Sequence, residues 1–408
     1  MSPPTIPRRA DLVILGAGPA GIEAALAARE HGFEPVVLEA DTVGASLHRW
    51  GHVRLFTSWA LNLSDRGREA LLAAGQPVPA ADKFPTGREV VTSYLQPLAD
   101  GPLQDHVFCG TRALAVSRGK MLKGERIGDP ARCDQRFRVV WRRNHKEGVL
   151  ETPILIDATG VYQTPTATGA GGVAAPGERD AAAFITRHIP DVLAVDANWS
   201  GRLMVIGSGY SAATVLHDLQ SLAQRDESIH VTWLLRGDRE EPLRRIADDP
   251  LPQRQALTEE ANALAARPPA WLTVERNATV EAFASDVDDV TVTYQQQDEL
   301  RTCTVDRVIS LTGYRPDPEL LRELQVHHCW ATDGLMKLSA ELLGAASGGD
   351  CLAQGSGGAA TLLNPEPNLF VIGNKSYGRL STYLLRSGRE QIEHVFTTLL
   401  SQPEGQRT

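Results

Sequence analysis

Two stretches of this chain read alike: "LVILGAGPAGI" at residues 12–22 and "LMVIGSGYSAA" at residues 203–213. In each, a short apolar run ends in a glycine turn whose last residues open a helix. A fully apolar run of four or five residues suits a strand buried on both faces, and such strands belong to parallel sheets covered by helices. Strand, tight turn and helix, followed by a parallel neighbouring strand, make a right-handed βαβ unit. The chain must therefore hold two open α/β sheets, each built round its own turn. Its 408 residues exceed one ordinary core and suit two domains.

In the first unit Asp11–Leu15 reads as a strand, Pro19–His31 as a helix and Pro35–Glu39 as the next strand. Gly16, Gly18 and Gly21 make a GxGxxG turn, with Pro19 and Ala20 between the second and third glycines. Gly16 permits the tight turn, Gly18 lets backbone approach a pyrophosphate, and Gly21 allows close helix–strand packing. The helix N-terminus favours the phosphate charge. Glu39 ends the second strand, where an acid binds ribose hydroxyls. Strand, helix and acid in register point to a dinucleotide.

The second turn, Gly207, Ser208, Gly209, Tyr210, Ser211 and Ala212, reads GxGxxA. Its following strand, "HVTWLLR", ends in Arg236 rather than an acid, and Arg239, Arg244 and Arg245 come soon after. An acid there would repel a 2′-phosphate, whereas arginines bind one bidentately. A basic surface loop is the plainer alternative. Two turns imply two dinucleotides: a resident FAD whose adenosine ribose meets Glu39, and a visiting NADPH whose 2′-phosphate meets Arg236 and Arg244.

The expected fold is α/β, with two Rossmann-like dinucleotide-binding domains and a β-meander. An FAD domain over residues 1–165 and 309–408 is interrupted by an NADPH domain over 166–308. "FRVVWRR" and "VLETPILI" read as meander strands joined at a polar turn, and residues 163–180 as a Gly- and Pro-rich linker. Residues 344–360 read as a flexible loop, a candidate lid. The strand "LFVIG" and a helix around Thr382–Leu400 close the fold.

A net charge of −9 gives no broad attraction to nucleic acid or an anionic membrane. No apolar run approaches the ~20 residues that span a bilayer. Arg8 and Arg9 precede a strand broken by glycine rather than a signal sequence, so a cytoplasmic enzyme is expected. The five cysteines are widely spaced, with no CxxC pair, and no metal site is expected. The adjacent His327, His328 and Cys329 point in diverging directions.

With these motifs the chain resembles the two-dinucleotide-binding-domain flavoproteins. "LIDATG", with Thr159 and Gly160, is similar to the segment where such chains leave the FAD domain. "LTGYRPD", with Gly313, is similar to the segment where they return, and "NLFVIGN", with Gly373, to the strand that passes the flavin. Disulfide reductases carry Gly-Asp there, whereas Asn374 follows Gly373 in this chain. "VRLFTS" resembles bacillithiol disulfide reductase-like proteins, which have a cysteine where this chain has Ala20. "TGY" at residues 312–314, "FITRH" at 184–188 and "GRLSTYLL" at 378–385 resemble class B and N-hydroxylating flavin monooxygenases.

The resemblance implies that residues 44–59 pass beside the flavin. There Trp50 would stack near the ring, and His52 and Arg54 would supply a proton or stabilise reduced flavin. Lys375, Tyr377 and Arg379, between the flavin strand and the last helix, suggest a substrate or flavin pocket. A turn of solvated charges is the alternative. Leu380 and Ser381 would start the last helix and point its amides at the flavin. The implied reaction is NADPH-dependent oxygenation of a small-molecule nitrogen, sulfur or carbonyl carbon through a flavin hydroperoxide. Small-molecule substrate and oxygen are the expected partners, and a homodimer is compatible. A reductase of a disulfide, quinone or similar acceptor, and a non-catalytic redox sensor, are the other readings.

Overall fold

The computed structural model describes residues 5–345 and 357–402. It divides into two compact units: residues 1–48, 57–164 and 315–408, and residues 49–56 with 165–314. The boundaries fall at 164/165 and 314/315. Residues 49–56, expected in the first domain, cluster with the second unit.

The first unit opens with β1 (Leu12–Leu15), buried throughout, then the helix α1 (Pro19–Glu30) and β2 (Pro35–Leu38), parallel to β1. Pro19 suits the first helical position, where its missing N–H has no intrahelical acceptor. After several helical turns β3 (Val107–Phe108) joins β2 in parallel. An antiparallel meander follows: β4 (Thr111–Arg118), β5 (Phe137–Arg143) and β6 (Lys146–Thr152). The β5–β6 turn is Asn144–His145, with φ of 50° and 65°, the left-handed pair that a tight hairpin needs. "VLETPILI" is not one strand. Pro153 cannot donate to a ladder; β6 ends before it, and β7 (Ile154–Asp157) lies parallel beside β1, buried throughout.

The second unit repeats the plan. Its parallel sheet contains β8 (Ile185–Thr186), β9 (Arg202–Ile206), β10 (His230–Leu234) and β11 (Leu272–Glu275). The helix Tyr210–Ala223 joins β9 to β10. A second meander, which the sequence reading did not separate, comprises β12 (Ala278–Ser285), β13 (Val290–Gln296) and β14 (Glu299–Val305). "CTVDRVISL" divides at Asp306, whose carboxylate accepts the Arg202 N–H at 2.7 Å. There the chain leaves β14 and enters β15 (Arg307–Ser310), between β9 and β8. The core packs Leu203, Val205 and Leu216 round the fully buried Trp233. Residues 163–180 are no loose linker: the buried Glu178 accepts backbone N–H groups of Thr168 and Ala175.

Back in the first unit, β16 (Leu369–Val371) pairs with β7, giving the parallel order β16-β7-β1-β2-β3. The last helix begins at Leu385 and runs to Ser401. It packs on α1, with the rings of His31 and Phe396 stacked 5.2 Å apart. Of the expected lid, residues 346–356 lie outside the described residues. The fold is thus α/β: two Rossmann-like domains, one inserted into the chain of the other.

Candidate nucleotide sites

The first turn shows which glycines the protein's own packing demands. Gly16 has φ +97°, and a Cβ on it would stand 2.8 Å from the Ala158 carbonyl oxygen. A Cβ on Gly21 would fall 1.9 Å from the Gly16 oxygen, whereas one on Gly18 would meet nothing within 4 Å. Space therefore lies over the middle glycine, where a pyrophosphate must approach. No side chain caps the first turn of α1, so its amide donors face this space unclaimed by a cap. Pro19 and Ala20 are half-buried in that turn.

Glu39 holds the turn in shape. Its carboxylate accepts the Ala17 N–H at 2.7 Å and the Asp41 N–H at 2.8 Å. Burial pushes its carboxyl above the ordinary carboxylate range, and the two N–H bonds oppose that push. A carboxylate has about four acceptor positions, so ribose hydroxyls can still be bound.

The second turn repeats this geometry. Gly207 has φ +135°, and a Cβ there would lie 2.5 Å from the Leu311 oxygen; Gly209 again has open space. The helix Tyr210–Ala223 lacks a side-chain cap, and Ala212 is fully buried where close packing needs a small residue. The Gly207 carbonyl accepts the Trp233 indole N–H at 2.8 Å. Ser208 is exposed, and Tyr210 and Ser211 are half-buried. Arg236 and Arg244 are exposed, and among the described residues no carboxylate pairs with either. Arg245 differs, because Glu241 engages it through both carboxylate oxygens.

The expected polar pocket at residues 374–379 takes another form. Lys375 is buried, and its Nζ donates to Asp157 at 2.7 Å and to Thr159 at 3.1 Å. Asp157, which the sequence reading passed over, also accepts the Thr159 N–H at 3.0 Å and hydroxyl at 2.6 Å. An acid closing the apolar run "ILID" was the available signal. Lys375 is thus the counter-ion of a buried carboxylate that shapes the Thr159–Gly160 turn, not a solvated or substrate-facing base. Tyr377 is completely buried, edge-on to Tyr383 at 5.4 Å, and burial raises its phenol. Arg379 is exposed and paired with Asp333. Leu380 and Ser381 do not start the last helix. The short helix Asn374–Tyr377 ends at Gly378, φ +69°, and Leu384 is extended before Leu385. Gly373 has φ +71°, and its N–H donates to Gln391 at 2.8 Å.

His52, Arg54 and Trp50 belong to the segment grouped with the second unit. Trp50 and His52 are half-buried and Arg54 is exposed. Phe56 meets the Tyr210 ring edge-on at 5.3 Å, so this segment packs at the head of the second-turn helix. Burial, with Arg49 and His52 nearby, lowers the His188 imidazole pKa. "TGY" serves structure here. Gly313 takes φ +93°, the Thr312 hydroxyl donates to the Thr166 carbonyl at 2.9 Å, and the Tyr314 hydroxyl to that of Arg187 at 2.7 Å. Among the described residues no group of three His, Cys, Asp or Glu could hold a metal ion. No described helix is long and apolar enough to cross a membrane.

A pair of Rossmann-like units with open glycine turns defines a two-dinucleotide-binding class of protein. The model of the pyridine nucleotide-disulphide oxidoreductases matches residues 10–336, and the chain belongs to that family. No curated protein matches it by sequence. Among solved structures, bacillithiol disulfide reductase from Staphylococcus aureus is 18% identical, with 97% of this chain and 99% of that one covered and a TM-score of 0.67. A cadaverine monooxygenase from Erwinia amylovora, bound to FAD, is 14% identical, with 95% and 93% covered and a TM-score of 0.62. A flavin monooxygenase from Stenotrophomonas maltophilia is 22% identical, with 96% and 98% covered and a TM-score of 0.57. These likenesses describe the fold, and both reductases and oxygenases share it.

Proposed function

We propose that this chain is an FAD-dependent, NADPH-using monooxygenase acting on a nitrogen, sulfur or carbonyl carbon of a small molecule. The observation that carries the two-cofactor reading is the pair of glycine turns, each open at its middle glycine, with Glu39 serving one and Arg236 and Arg244 the other. When bound, FAD would take hydride from NADPH and pass electrons to oxygen. The chain's own part is to hold the two nucleotides. The uncapped amides of α1 would bind the FAD pyrophosphate and Glu39 its adenosine ribose. Gly207–Ala212 would bind the NADPH pyrophosphate, with Arg236 and Arg244 on the 2′-phosphate.

Arg236→Ala should lower kcat/KM for NADPH about ten- to a hundredfold, the worth of a charge-assisted bond, and leave NADH nearly unchanged. Equal losses for both cofactors would assign Arg236 a general role.

Oxygenation is favoured over disulfide exchange because no two cysteines lie within twenty residues of each other, and Ala20 stands in the first turn. Membership of a disulphide oxidoreductase family favours the second reading, reduction of a small disulfide or quinone. The two separate on oxygen. An oxygenase should oxidise NADPH with matching oxygen uptake, release peroxide without substrate, and stop after one turnover under nitrogen. Sustained anaerobic turnover with a disulfide or quinone would establish the reductase.

A further inference from the structure

In the second unit, residues 235–251 run from the end of β10 to the helix Pro252–Ala266 without helix or strand of their own. Both arginines assigned to the 2′-phosphate lie on this loop. A long loop without regular structure is ordinarily mobile, and ordering it on binding costs affinity. This one is tied down from outside. Leu235 donates its N–H to the Glu275 carbonyl at 2.8 Å, its own carbonyl accepts the Ala278 N–H at 3.0 Å, and the Gly237 carbonyl accepts the Asn277 N–H at 3.2 Å. Arg236 therefore stands between two residues fixed to the junction of β11 and β12.

Two side chains extend the fixing. Arg276, half-buried in that junction, donates Nε to the Arg239 carbonyl at 3.3 Å. Its Nη2 donates to the carbonyls of Glu240 at 3.3 Å and Ala265 at 2.7 Å, which binds the loop to the end of the helix Pro252–Ala266. Asn262, buried on the same helix, accepts the Leu243 N–H at 3.0 Å and donates to the Leu243 carbonyl at 2.9 Å. Leu243 also packs in the core of the unit, so the residue before Arg244 is held by its side chain and by both its backbone groups. The loop carries its own competitors for the arginines. Asp238 and Glu240 are exposed beside Arg236 in the chain, and an untied loop could fold either carboxylate onto an arginine in place of a phosphate.

We infer that Arg276 and Asn262 are positioning residues for the 2′-phosphate: they hold Arg236 and Arg244 apart from the acids of the loop and so set the preference for the phosphorylated dinucleotide. This rests on the reading of those two arginines as phosphate ligands. Asn262 is buried and joined at both ends of its amide to Leu243, so it can act only through the loop.

The test is calorimetric titration of the flavin-loaded full chain with adenosine 2′,5′-bisphosphate and adenosine 5′-monophosphate, which differ only in the 2′-phosphate. The parent should prefer the bisphosphate by about tenfold or more. Arg276→Met and Asn262→Ala should each weaken the bisphosphate about tenfold and leave the monophosphate unchanged. In turnover both should raise KM for NADPH more than they lower kcat. If Asn262→Ala does not fold, Asn262→Ser, whose hydroxyl can keep one of the two bonds, should show a smaller loss of the same kind. A parent without the preference would remove the phosphate role of Arg236 and Arg244, and the positioning role with it. A parent with the preference and variants that keep it would overturn the positioning role alone. Equal weakening of both nucleotides, the mark of a general structural role, would also overturn it. So would a loss confined to Arg276→Met, which would make that guanidinium a direct phosphate ligand.

Discussion

Replacement of Gly21 by alanine is expected to give protein that purifies without flavin. The added methyl group would sit 1.9 Å from the Gly16 carbonyl oxygen. Gly16 cannot retreat, because its own α-carbon faces the Ala158 carbonyl with no room for a Cβ. All the clashing atoms are backbone, so no rotamer change relieves them. Overpacking of this kind costs about 1–3 kcal/mol or more, and the relief available is to open the turn and move the amides of α1. Gly18→Ala is the informative partner, since its methyl group meets nothing within 4 Å. That variant should melt like the parent and yet lose flavin, because its methyl group enters the space assigned to the pyrophosphate. The flavin-to-protein absorbance ratio and the melting temperature check both. Full flavin with an unchanged melting temperature in Gly21→Ala would remove the steric argument.

Lys375→Met should destabilise the first unit by about 3–5 kcal/mol, the usual cost of leaving a buried carboxylate without its counter-ion. Asp157 is fully buried, and its remaining side-chain partner would be Thr159. The double variant Lys375→Met/Asp157→Asn should recover much of the loss, because it removes both charges together. Arg379→Ala, at an exposed pair, should change stability by less than about 1 kcal/mol. Thermal melting of the four proteins compares these effects. If Lys375→Met keeps the parental melting temperature but loses turnover, the lysine is catalytic and the structural assignment is wrong.

Both parallel sheets were legible because buried parallel strands are continuous apolar runs and glycine turns punctuate them. Each meander was harder to divide. Its last strand and the next parallel strand are separated by a single residue, Pro153 in one unit and Asp306 in the other. Windowed hydrophobicity joins them, although sheet and direction change at that point. Lys375 and Tyr377 read as a polar turn because composition does not reveal burial, which Asp157 makes tolerable for the lysine. The start of the last helix was misplaced because "GRLSTYLL" contains no strong breaker after Gly378. The grouping of residues 49–56 with the second unit depends on contacts far along the chain, such as Phe56 on Tyr210, and local pattern carries no trace of these.

The insertion of one unit within the other has a consequence for biosynthesis. β1, α1 and β2 leave the ribosome early, but their sheet lacks the neighbour of β7 until β16 has been translated. At about 5–20 residues per second that interval is on the order of tens of seconds. Residues 165–314 emerge as an unbroken stretch in the meantime. The order of synthesis therefore lets the inserted sheet close first, while the apolar β7 strand waits for β16 and the open face of α1 waits for the last helix. During that wait the nascent chain presents an unpaired apolar strand edge, the kind of surface that invites aggregation, on the half of the protein made first.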